Sequence, residues 1–161
     1  MSRTLELHPD RLFPADPATR SIARELYGGI RELPIISPHG HTDPRWFATN
    51  EPFANAAELL ITPDHYVFRM LYSQGVSLED LGVPAADDRP VARDGRAIWR
   101  LFATHYHCFR GTPSRTWLDT VFAQVFGFNE TLGEDTADYY YDSINELLAT
   151  AAFRPRALFE R

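Results

Sequence analysis

The chain has no lysine and a single cysteine, Cys108. No lysine side chain can therefore bridge paired metal ions within these residues. One cysteine cannot form an internal disulfide, and a reducing, cytoplasmic setting is the expectation. No run of about 18 apolar residues occurs, so no membrane-spanning helix is expected. The opening residues, Met1-Ser2-Arg3-Thr4-Leu5-Glu6-Leu7-His8, lack the apolar core of a signal peptide, and none is expected. The net charge is −6 and the basic residues form no stripe, so nucleic acid is not an expected partner. Repeats and low-complexity segments are absent too.

What is present is a succession of helix signals. Asp16 with Pro17 starts a helix whose apolar face carries Ile22, Leu26, Ile30 and Leu33. Pro34-Ile35-Ile36-Ser37 reads as a short buried strand. Asp43-Pro44 starts a turn of helix over Trp46 and Phe47. Asn55 with Glu58 resembles a capping box, Thr62-Pro63 opens a helix that Gly75 stops, and Ser77 with Asp80 caps a short one. Val83 to Asp94 reads as an exposed loop. The pattern then predicts a helix from about Gly95 to Phe109, with Cys108 as a small core hydrophobe. A break at Gly111-Thr112-Pro113 follows. The next helix is expected to bury Trp117, Leu118, Val121, Phe122, Val125 and Phe126. Ala137 to about Thr150 forms another, with Tyr140, Ile144, Leu147 and Leu148 inward, and a further helix begins at Pro155. The chain is therefore predominantly α as given. A lone strand has no ladder partner, which predicts that it pairs with polypeptide outside these residues.

The strongest chemical signal is Ser37-Pro38-His39-Gly40-His41-Thr42-Asp43-Pro44. On a strand, residues i and i+2 point to one side, so His39 and His41 can reach one point. Two neutral imidazoles make half of a divalent-metal site. His105 and His107 share that spacing within a predicted helix, where i and i+2 diverge and cannot chelate one ion. Asp64-His65-Tyr66 opens a helix and offers an imidazole and a hydroxyl able to exchange a proton, with Arg69 one turn on as a fork for a carboxylate. The same residues also suit plain amphipathic packing, with Tyr66, Met70 and Leu71 as a buried stripe. Gly111-Thr112-Pro113-Ser114-Arg115 is either a capped turn or an anion-receiving helix start. Asp119, Glu130, Glu134 and Asp135 have no spacing that pairs them with the histidines, and solvation is expected for most.

Taken in order, three segments resemble the N-terminal part of the uronate isomerases: Ser37 to Pro44, Thr62-Pro63-Asp64-His65-Tyr66-Val67-Phe68-Arg69, and Gly111-Thr112-Pro113-Ser114-Arg115-Thr116-Trp117-Leu118. Phe153-Arg154-Pro155-Arg156-Ala157-Leu158-Phe159-Glu160-Arg161 adds to the match. The resemblance implies the first strand of a distorted (β/α)8 TIM barrel followed by a helical insertion. Residues 1–45 would hold the N-terminal helix and that strand, and residues 46–161 the insertion. It implies interconversion of D-glucuronate with D-fructuronate and of D-galacturonate with D-tagaturonate. It also implies His39 and His41 as ligands of a divalent metal, zinc being the expected ion. His65 and Tyr66 would face the substrate, Tyr66 in proton transfer. Arg69 and Arg115 are the cations available for the sugar carboxylate. The family's remaining metal ligand, an aspartate, has no counterpart here, so the chain alone is expected to be inactive.

Two other readings use the same residues. A metal-dependent hydrolase of the amidohydrolase type also needs His-x-His. A non-catalytic helical module predicts no metal uptake and a closed surface around residues 39 to 66. Self-association is left open by the sequence.

Overall fold

A computed structural model describes residues 3–37 and 40–160. Pro38 and His39 thus lie outside the described residues, as do Met1, Ser2 and Arg161. Eight α-helices are found among those described: α1 (Pro17–Ile30), α2 (Pro44–Thr49), α3 (Ala56–Leu60), α4 (His65–Ser73), α5 (Gly95–Thr104), α6 (Pro113–Thr120), α7 (Ala137–Leu148) and α8 (Pro155–Phe159).

Most helix starts follow the side-chain chemistry expected of them. Asp16, Asp43, Asn55, Asp94 and Thr112 each accept a backbone N–H of the turn they open. One start moves. Thr62 hydroxyl donates to the Leu81 carbonyl at 3.0 Å and does not cap α4. Asp64 does so instead, accepting from the N–H of Tyr66 at 2.8 Å and of Val67 at 3.3 Å. His65 and Tyr66 are therefore the first two residues of α4.

The core is a cluster of aromatic rings gathered by α5, α6 and α7. Trp99, Phe102, Tyr106, Phe109, Phe122 and Tyr140 are all essentially without solvent contact. Each ring so buried contributes on the order of 2 kcal/mol by apolar transfer. The polar atoms brought in with them are satisfied: Trp99 Nε1 donates to the Ala137 carbonyl at 2.9 Å, and Tyr140 hydroxyl to the Glu130 carbonyl. Helix α5 ends at Thr104, earlier than expected, and Tyr106–Phe109 continues as a 3-10 turn. That turn keeps both Tyr106 and Phe109 in the core, and leaves Cys108 only half-buried. His105 and His107 turn back on their own helix, with Nδ1 atoms on the Leu101 and Thr104 carbonyls. Beyond α6 the chain widens into a π-helical turn, Val121–Val125, before Gly127 reverses it at φ 79°.

The N-terminal arm departs from expectation. Residues 34–37 form no strand; Ile35 is 93% exposed and Ile36 89%. A strand needs a ladder, and the one β-bridge among the described residues joins Thr4 to Glu130, elsewhere in the fold. Helix α1 forms as expected, yet Ile22, Leu26, Ile30 and Leu33 stay exposed and no residue of α1 is buried.

Candidate active site

The start of α4, the start of α6 and the segment from His41 to Trp46 enclose a cleft of about 830 Å3. Helix α4 supplies Asp64, His65 and Tyr66. Helix α6 supplies Pro113, Ser114 and Trp117. His41, Thr42 and Trp46 close one side, with Leu59 and Leu60 of α3 beneath. The rings of His41 and His65 stand 4.9 Å apart between centroids, and those of His65 and Tyr66 4.2 Å apart. Tyr66 is 61% exposed, so it faces the open cleft and is not part of a buried stripe. The surface around residues 41 to 66 is an open, aromatic-walled depression, unlike the closed surface expected of a non-catalytic module.

The cleft groups imidazole and phenol on apolar walls, a combination suited to binding and proton exchange. His41 carries an imidazole nitrogen, a donor type that zinc accepts. Among the described residues, no group of three metal-binding side chains occurs. The expected pairing of His41 with His39 lies outside the described residues.

The two candidate arginines are placed differently. Arg69 is exposed on α4 and does not line the cleft. Arg115 is held below the cleft wall. Its Nε donates to Asp119 at 2.8 Å, its Nη1 to the Tyr106 carbonyl at 3.3 Å, and its guanidinium lies 4.0 Å over the Tyr106 ring. Tyr106 hydroxyl donates to the other Asp119 oxygen at 2.8 Å. Asp119, expected among the solvated carboxylates, is thus a partner of both. Burial, with the Asp119 charge beside it, pushes the Tyr106 phenol well above its usual range.

Trp117 reverses its expected role. It is 48% exposed and forms a cleft wall, while Leu118 beside it is wholly buried. Ser114 and Trp117, three residues apart, share one face of α6, whereas the core stripe runs through Leu118 and Phe122. That i, i+3 pairing after a Gly-Thr-Pro restart was the signal available in the sequence.

The family model for glucuronate isomerase matches residues 17–161. The chain belongs to the glucuronate isomerase family. It is 64% identical over 160 residues to a uronate isomerase of Xanthomonas euvesicatoria pv. vesicatoria, covering 99% of this chain and 34% of that one. It is 65% identical over 161 residues to a uronate isomerase of Sphingopyxis alaskensis, covering 100% of this chain and 33% of the other. Its backbone matches the crystal structure of glucuronate isomerase from Caulobacter crescentus with a TM-score of 0.92 and 62% identity, over 99% of this chain and 33% of that chain. A uronate isomerase structure from Thermotoga maritima shares the fold at a TM-score of 0.73, with 24% identity over 89% of this chain and 29% of its own. The chain therefore spans about a third of the length of the relatives it matches.

Proposed function

We propose that these residues form one wall of a uronate isomerase active site, acting on D-glucuronate and D-galacturonate. The observation that carries the reading is the convergence of His41, His65 and Tyr66 on one cleft in a chain of this family. Aldose–ketose isomerisation shifts a proton between C2 and C1 through an enediol. It needs a base at C2 and an acid–base group at the carbonyl oxygen. Tyr66 suits the second task, because its hydroxyl can donate and then retake a proton. His65, its ring tilted 34° against that of Tyr66 with centroids 4.2 Å apart, is a hydrogen-bonding partner for a sugar oxygen. Arg69, exposed on α4, is the cation without an ion-pair partner among the described residues holding it in place, whereas Arg115 is bound to Asp119.

Residues 34–37 are proposed as the first strand of a distorted (β/α)8 barrel, with residues 46–161 as its helical insertion. The apolar side chains at Ile35 and Ile36 suit a strand covered on both faces. A divalent ion, zinc by donor type, would take His39 and His41 and polarise a sugar oxygen when bound.

The test is direct. Full-length protein carrying these residues is incubated with D-glucuronate or D-galacturonate, and the sugars are followed by proton NMR. Appearance of the ketose uronate, with its carbonyl at C2 and its carboxylate still at C6, abolished by His39→Ala, supports the proposal. Absence of conversion with both sugars overturns it.

A further inference from the structure

We propose that Trp117 is a substrate-binding residue: its indole is the surface on which the C–H side of the hexuronate lies. The inference rests on the isomerase reading and deepens it.

Three observations carry it. First, Trp117 is 48% exposed on a helix that buries Leu118 completely, so an indole stands outside the core although the core lies one residue away. Second, it shares its cleft with His41, His65 and Tyr66, the groups suited to sugar oxygens and proton transfer. Third, its position is fixed from beneath. Thr112 hydroxyl caps the first turn of α6 by accepting the Arg115 N–H at 3.2 Å, and Arg115 is clasped to Asp119 one turn along the same helix. The turn that presents Ser114 and Trp117 is therefore held at both ends.

The chemistry fits a sugar. The face of an indole is electron-rich, and the C–H hydrogens of a sugar carbon chain carry slight positive charge. One side of a hexuronate can thus rest on Trp117, while its hydroxyl and carbonyl oxygens turn to the polar side of the cleft. Trp46 is a different case, half-buried with its ring edge-on to Phe53 at 5.1 Å.

The test uses the full-length protein with Trp117→Phe and Trp117→Leu. Phenylalanine keeps an aromatic face, whereas leucine keeps apolar bulk without one. The readouts are KM and kcat for D-glucuronate, the dissociation constant for D-glucuronate by calorimetry, and the thermal melt. Trp117→Leu is expected to weaken D-glucuronate binding about 10-fold, with kcat little changed, and Trp117→Phe to recover most of it. Equal binding in all three proteins would overturn the proposal. So would equal weakening in both variants with parallel loss of melting temperature, which would mark Trp117 as a packing residue. If the wild type binds D-glucuronate without converting it, the isomerase reading fails while the calorimetric comparison still decides the role of Trp117. If the wild type neither binds nor converts it, both fall.

Discussion

The imidazoles of His41 and His65 lie 4.9 Å apart, although one belongs to an irregular segment and the other to the first turn of α4. The start of α4 is capped by Asp64, which accepts the Tyr66 and Val67 N–H groups, while the Thr62 hydroxyl donates to the Leu81 carbonyl.

Helix α6 offers a test of the support beneath the cleft. Asp119→Ala leaves the Arg115 guanidinium and the Tyr106 hydroxyl without their shared acceptor, both in a largely buried setting. Urea unfolding is expected to register a loss of about 2–4 kcal/mol. A loss under about 0.5 kcal/mol would show the clasp to be dispensable.

Alkaline pH should act through Tyr106 and Tyr140. Burial is the main cause that raises both phenols above the ordinary value of 10.0, with Asp119 adding to the effect. A group whose pKa is higher folded than unfolded stabilises the fold below the unfolded value. That contribution is lost as pH climbs toward the folded value. Melting temperature is therefore expected to be flat through neutral pH and to fall above about pH 10. Tyrosinate absorbance from these two rings should emerge together with unfolding, and ionisation that precedes unfolding would contradict the assignment.

Much of the helical layout was legible because local signals fix helix ends. Asp16 and Asn55 read as caps and serve as caps. What local signals do not carry is the partner of an apolar face. The runs at Ile22, Leu26, Ile30 and at Ile35-Ile36 have the composition of buried elements, but burial needs a second surface, and the described residues supply none. Trp117 erred in the opposite direction, since hydrophobicity alone cannot separate a core indole from a cleft wall. In the site, His65 and Tyr66 were legible as a pair at a helix start. Their meeting with His41 was not, because it depends on how the chain folds back between them.

The exposed face of α1 gives the isolated 161-residue chain an apolar patch. Leu26→Ser combined with Ile30→Ser is expected to lower binding of the dye ANS markedly, while changing stability by less than about 0.5 kcal/mol per site, as at other surface positions. A large destabilisation would mean that α1 packs in solution.

Zinc should be held weakly by residues 1–161. Two histidines, His39 and His41, fill half of a four-coordinate site, and no three-ligand group occurs among the described residues. After dialysis, atomic absorption is expected to find zinc far below one ion per chain. Stoichiometric zinc would contradict this ligand count.

The central claim is that the Tyr66 hydroxyl moves a proton on the sugar. It is tested most directly by Tyr66→Phe in the full-length protein, assayed with D-glucuronate. Tyr66 is 61% exposed, so the variant should melt as the wild type does. Turnover is expected to fall by about 100-fold or more, the usual scale of a lost acid–base group. An unchanged rate in a folded Tyr66→Phe protein would contradict the account.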